Sequence, residues 1–281
     1  MLGVPKGTVG TRLHPTVRRD VVTRLLAEDR DRRDKAATKA RTEKLGRRIG
    51  DLQPLLYANA RHAVLLIFQG MDASGKDGSI RTVLQYVNPA GVQTANFKVP
   101  SAEEAAHDFL WRIHRAAPAR GEVAIFNRSH YEEVLVVRVH DLVPKSEWSR
   151  RYDVINEFER RLHEQGTTIL KFFLHIDREE QMRRIRARLD DPAKHWKFSE
   201  GDLNERSYWD AYQEAFEDLL ARCSPKYAPW FVVPANHKWY RDAAVADIVT
   251  EALGEMDPKP SPVKLDVKRL RARLARDGAA G

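Results

Sequence analysis

The chain has 281 residues, enough for one large domain or two small ones, and its 42% hydrophobic content lies in the globular range. Forty-eight Lys and Arg against 40 Asp and Glu leave a net charge of +8, which suits an anionic partner: nucleic acid, a membrane surface or a phosphate polymer. A single cysteine, Cys223, excludes an internal disulfide and fits a reducing compartment; no apolar run reaches the roughly 18 residues of a membrane span, and MLGVPKGTVGTRLHPT lacks the apolar core of a secretory signal, so no membrane partner and a cytoplasmic protein are expected.

In chain order, AEDRDRRDKAATKARTEK reads as exposed helix, continuing into a longer one through KLGRRIGDLQPLLYANARH. AVLLIFQ (63–69) is a continuous apolar run of strand length ending at Gly70, the pattern of a strand buried on both faces. EVAIFNRS (122–129), TTILKFFLHID (167–177) and the shorter WFVVPA (230–235) have the same character. Between them, the helix expected over 146–165 starts at Ser146 as N-cap and stops before Gly166, with Trp148, Tyr152, Ile155, Phe158 and Leu162 on its core face. DREEQMRRIRARL opens with a D-x-x-E capping pattern and carries Met182, Ile185 and Leu189 as an apolar stripe, and DLNER (202–206) restarts a helix with the same pattern. Strands alternating with helices imply an α/β fold with a parallel sheet flanked by helices. After MDPKPSP, the tail VKLDVKRLRARLARDGAAG is basic and reads as a docked or frayed helix.

FQGMDASGKDGS (68–79) sits between a buried strand and the helix GSIRTVLQYV, the context of a phosphate-binding P-loop. Backbone N–H groups around Gly70, Ala73, Gly75 and Gly78 would cradle phosphate, with Lys76 adding a point charge. The loop departs from the usual pattern in two places. Asp77 replaces the Ser or Thr that normally follows the lysine, and a further carboxylate, Asp72, stands inside the loop. A carboxylate beside phosphate is repulsive unless a cation separates them, so Asp72 points to a magnesium ion, with manganese as a substitute. Asp77 reads as a partner of the helix dipole.

The second strand ends in Asn127 and Arg128 where an Asp would normally hold the metal, which strengthens the reading of Asp72 as the metal carboxylate. Arg128 offers a planar fork to transferring charge, and one of Glu132 and Glu133 would face the site while the other serves the next helix. The run RRIRARLDDPAKHWKFS places Arg183, Arg184, Arg186, Arg188, Lys194 and Lys197 where P-loop kinases carry a lid, with Pro192, His195 and Trp196 interrupting the helix.

GMDASGKDG, NFKVPSAEEAAHDFLWRIH, FNRSHYEEVLVVRVH, DDPAKHWKF and WFVVPANHKWYR together resemble the polyphosphate kinase 2 family. The resemblance implies a three-layer P-loop kinase-like fold with a helical lid at about 183–201, spanning 35–257, between a basic, helical or partly disordered N-terminal extension (1–34) and a basic tail (258–281). It implies magnesium-dependent phosphoryl transfer between inorganic polyphosphate and adenine nucleotides, in a homo-oligomer, dimer or tetramer. By position, Asp72 and Lys76 are the loop residues, Asn127 and Arg128 the second motif, and Arg188, directly before LDDP, the lid arginine. From the basic run itself, Arg184, Lys194 and Lys197 are candidate phosphate contacts, with a solvated face as the alternative for Arg183 and Arg184. Members using nucleoside diphosphates commonly have Asp in place of Asn127 and Asn in place of Glu132, so NRSHYEEVLV is similar to the group that uses both AMP and ADP. Two alternatives stand beside this. An ATP-dependent nucleoside monophosphate kinase would share loop and lid but would normally carry the missing Ser/Thr and Asp. A nucleic-acid-binding protein would suit the charge but no recognition motif is present.

Overall fold

The apolar run at 63–69 forms the middle strand of the sheet in a computed structural model that describes residues 11–12, 35–260 and 264–278. The strands β1 (Thr11–Arg12), β2 (Ala63–Gln69), β3 (Val92–Asn96), β4 (Val123–Asn127), β5 (Thr167–His175) and β6 (Trp230–Pro234) lie in the order β1-β6-β5-β2-β4-β3. β2 to β6 are parallel, and β1 adds antiparallel to β6 at one edge. Four of the five parallel strands are the apolar runs of the sequence. β3 was not expected: its five residues, VQTAN, are only partly buried or exposed, because it is an edge strand with one neighbour and lacks the apolar signature of a central one.

Alternate residues of each strand enter one of two cores. Leu65, Ile67, Phe126, Ile169 and Phe173 pack on one face with Lys145–Glu164 and Trp209–Arg222. Val64, Leu66, Phe68, Ile125, Leu170 and Phe172 pack on the other with Lys35–Asn59 and Lys238–Glu255. Each fully buried Leu, Ile or Phe contributes roughly 1.5–3 kcal/mol, so the rigid frame behind the site is the sheet and these helices. In chain order we label the helices of two turns or more α1 (Lys35–Asn59), α2 (Lys76–Leu84), α3 (Lys145–Glu164), α4 (Arg178–Leu189), α5 (Glu200–Ser207), α6 (Trp209–Arg222), α7 (Lys238–Glu255) and α8 (Val267–Gly278).

Several local expectations change. The reading of residues before 35 as helix lies outside the described residues, apart from the two residues of β1. α3 begins at Lys145 behind Pro144, which caps without a side-chain hydrogen bond, so Ser146 lies inside the helix. Trp148, Tyr152, Ile155 and Phe158 are buried as the periodicity required. On α4 the buried face is Gln181, Arg184 and Ile185, while Leu189 is exposed, because this helix packs onto the polar back of the phosphate loop rather than onto an apolar layer. Ser199, not Asp202, caps α5, which frees the Asp202 side chain for another partner. α8 is exposed over residues 267–277. Among the described residues no helix is long and apolar enough to cross a membrane.

His175 ends β5, where burial, only partly offset by Asp177, lowers its pKa to about 4. The unfolded chain therefore takes up this proton first as pH falls through about 6.5, so stability drops between about 6.5 and 4 by up to roughly 3 kcal/mol. Thermal unfolding of wild type and His175→Gln at pH 7.5 and 5 checks this. The wild type is expected to lose more of its Tm on acidification, and equal losses would contradict it.

Candidate active site

Three positive-φ residues shape the loop between β2 and α2: Gly70 at 148°, Ala73 at 64° and Gly75 at 103°. A side chain at Gly70 would meet the Leu174 carbonyl at 2.5 Å, and one at Gly75 would meet Arg241 Nη1 at 1.7 Å, so both positions need glycine for space as well as for dihedral. The loop is held from behind through its carbonyls. Gln181 Nε2 donates to the Asp72 carbonyl at 3.1 Å. Arg184 Nη1 donates to Ala73 and Ser74, both at 2.9 Å, its Nη2 to Ala235 and Asn236, and its Nε to Glu180. Arg241 Nη1 reaches the Ser74 carbonyl at 3.3 Å, while Asp242 receives Arg241 and the Ser79 hydroxyl. Drawing the carbonyls backward leaves the unpaired N–H groups at the start of α2 to face the other way.

On that side lies a cavity of about 610 Å³. It brings together Asp72, Ala73, Gly75, Lys76, Asp77, Gly78, Asn127, Arg128, Arg184, Arg188, Lys194 and Lys197, which is nearly every residue that the sequence singled out. Ten basic side chains line it against three carboxylates, and neither Ser, Thr, Cys nor His is among the lining residues. Gly70 and Glu132 instead border a small adjoining pocket of about 30 Å³, which shares Asp72 and Arg128 and is closed by Glu205, Tyr212 and Phe216. The two cavities meet at the Asp72–Arg128 pair.

That pair is at 2.9 Å, Arg128 Nη2 to Asp72 Oδ1, and Arg128 Nη1 lies 3.6 Å from Glu132 Oε2. Arg128 is a non-glycine residue at φ 59°, in the left-handed region, which costs on the order of 1 kcal/mol. Its amide still donates to the Phe68 carbonyl at 3.0 Å, so the chain turns sharply out of β4 and presents the guanidinium to the loop. Burial opposes charge on Arg128, but Glu132 and Asp72 outweigh it and its pKa is raised. Burial raises Glu132 above the usual carboxylate range, against the pull of Arg128 and Lys76. Lys76 Nζ donates to the Gly70 carbonyl at 2.8 Å, and burial, with Arg128 nearby, lowers its pKa. Anionic phosphate arriving in the cavity would reverse that pressure.

Asp77 accepts a hydrogen bond from Asn127 Nδ2 at 2.9 Å, so the residue in the usual Ser/Thr position and the residue in the usual Asp position hold each other. Arg184 lines the cavity, but all five of its N–H donors are engaged by protein, so it shapes the loop and adds charge without a free donor. Arg188 Nη1 donates to Asp202 Oδ2 at 2.7 Å and to the Lys197 carbonyl at 3.2 Å, tying the end of α4 to the start of α5 across the 3₁₀ segment Pro192–Lys197. Lys194 pairs with Asp191 at 2.5 Å, and Lys197 lies over the exposed Trp196 ring. Asp202 is raised by burial and by the charge of Asp72.

Asp202, Arg241, Gln181 and Lys238 are site residues that motif reading missed. Arg241 and Lys238 stand in HKWYR, a segment visible in the sequence but distant from the loop along the chain. Asp202 looked like a helix cap. Nothing in the sequence marked Gln181.

For a metal ion, Asp72 is the carboxylate at the junction of the two cavities. Among the described residues no cluster of three or more His, Cys, Asp or Glu could hold an ion by itself. A hard cation at Asp72 would need water or substrate phosphates as further ligands, the way magnesium is usually held in phosphoryl-transfer sites.

A parallel sheet with this loop, a basic cavity and the arginine-rich helix α4 beside it defines a P-loop phosphotransferase. More narrowly, the chain belongs to the polyphosphate kinase 2 family, whose model matches residues 32–261. It is 56% identical over 209 residues to the AMP/ADP-polyphosphate phosphotransferase of Meiothermus ruber, covering 74% of this chain and 78% of that protein. It is 49% identical over 232 residues to the ADP-polyphosphate phosphotransferase of Rhodopseudomonas palustris, covering 77% and 80%. The crystal structure of polyphosphate kinase 2 from Arthrobacter aurescens TC1 aligns with a TM-score of 0.85 at 45% identity, over 87% of this chain and 88% of that one.

Gly75→Ala is expected to lower stability by at least about 1 kcal/mol and to abolish most transfer, because the new methyl group meets Arg241 beneath the loop. Thermal unfolding and turnover check it; an unchanged Tm would contradict this placement of Arg241.

Proposed function

We propose that this protein transfers phosphoryl groups between inorganic polyphosphate and adenine nucleotides, with both AMP and ADP as acceptors and magnesium as the cation. The observation that carries the reading is the large basic cavity meeting the small pocket at Asp72 and Arg128. A polyanion fits the first, an acceptor phosphate the second, and the reacting group the junction.

In this mechanism Lys76 and the loop amides bind the donor phosphates, and Arg188, Lys194 and Lys197 hold the chain from the lid side. Arg128 orients the transferring group and compensates its charge through two parallel N–H donors, which a lysine cannot supply. Glu132 faces the acceptor side. Asp72 would hold the magnesium ion together with phosphate oxygens of the substrate, and the ion would supply charge neutralisation. Neither Ser, Thr, Cys nor His lines the cavity, and direct in-line transfer is the simplest mechanism. Asn127 and Glu132 support use of both AMP and ADP, as does the identity to a relative whose name carries both nucleotides. The same reading places the enzyme in the cytoplasm as a homo-oligomer, with no role for nucleic acid.

The test is nucleotide formation from AMP and from ADP, separately, with polyphosphate and magnesium and without ATP. Product from both is expected. Product from ADP alone would move the chain to the diphosphate-using group, and product from neither would return it to an ATP-dependent kinase. Asp72→Asn and Lys76→Ala should each lower kcat/KM by about 100-fold or more while the fold survives, and Arg128→Lys should fail similarly. Wild-type turnover in any of the three would overturn its assigned role.

A further inference from the structure

Lys171 and Glu159 are fully buried on the β5 and α3 sides of one core layer, between residues as apolar as Ile169 and Phe173. A buried ion pair is a poor source of stability, because lost hydration offsets most of the attraction and apolar residues of similar size serve as well. What this pair touches gives it another purpose. Lys171 Nζ donates to Glu159 Oε2 at 2.5 Å, to the Tyr131 hydroxyl at 2.8 Å and to the Cys223 carbonyl at 2.8 Å, three acceptors for three ammonium protons. The Tyr131 hydroxyl donates a hydrogen bond to Glu159 Oε1 at 2.8 Å, and His130 Nε2 lies 3.3 Å from the same oxygen. Burial pushes Glu159 upward, but Lys171 and His130 outweigh it and hold the carboxylate ionised. Burial keeps His130 neutral.

His130 and Tyr131 lie between Arg128 and Glu132. They open a 3₁₀ turn, His130–Val134, that follows the left-handed Arg128. Such a turn has little stability of its own. Ser129 pins its start, accepting from Gln69 Nε2 at 3.1 Å and from the Tyr131 amide at 3.2 Å. The charged network pins the next two residues from the core.

We propose that Lys171, Glu159 and Tyr131 form a buried anchor that fixes the angle at which Arg128 and Glu132 enter the site, and are positioning residues for phosphoryl transfer. The inference rests on the phosphotransferase reading above. Failure of that reading would appear as an inactive wild type, whereas this one is judged from variants relative to an active wild type.

Two variants test it. Tyr131→Phe keeps the ring against Trp230 and removes the hydroxyl that joins turn to pair. Lys171→Met with Glu159→Leu replaces the pair by apolar residues of similar size. Each is expected to fold and to lower kcat by on the order of tenfold, with nucleotide KM changed less than about twofold. Val249→Ala, in the core on the opposite face of the sheet, is the control: a lower Tm with kcat unchanged. Wild-type kcat in Tyr131→Phe, or a loss confined to KM, would overturn the proposal. If the double variant does not fold, Tyr131→Phe decides alone.

Discussion

Arg128 held between Asp72 and Glu132 is the contact on which the rest of the site depends. It joins the phosphate loop, the end of β4 and the turn after it, alongside the Asn127–Asp77 and Gln69–Ser129 hydrogen bonds. It also marks the boundary between the large basic cavity and the small pocket beside it. The residue adopts a left-handed backbone to do this, and the strain is tolerated because buried hydrogen bonds hold the residues on either side.

Charge is distributed around that contact with a clear division. Arginines that shape the loop, Arg184 and Arg241, are buried, and their guanidinium groups bind carbonyls and carboxylates of the protein. Basic groups nearer the opening, Arg183, Lys194 and Lys197, are exposed and paired with local carboxylates or lie over an aromatic ring. Exposed pairs of that kind contribute little stability and separate readily, so a polyanion can replace the carboxylates at low cost. Arg188 is intermediate, half-sheltered and tied to Asp202.

The frame was legible in the sequence because its cause is local. Continuous apolar runs of strand length mark β2, β4, β5 and β6, and aromatic spacing marks the buried face of α3. β3 was not legible, since an edge strand has no such run. Lys76 was visible as part of a familiar pattern, and Asp72, Asp77 and Asn127 as departures from it. The supports were not, because they depend on long-range approach: Arg241 lies 167 residues from the Ser74 carbonyl it meets. Arg184 shows the converse. Its type and spacing read as a lid contact, and only its partners show that its donors face the loop's own backbone.

In the proposed mechanism Asp72 tolerates a neighbouring phosphate because a divalent cation would lie between them. The most direct test is the magnesium concentration giving half-maximal transfer in wild type and in Asp72→Asn. A rise of about tenfold or more is expected in the variant, with part of the turnover recovered at high magnesium. A lowered turnover with the same half-maximal concentration would contradict it, and would mean that Asp72 acts only by holding Arg128.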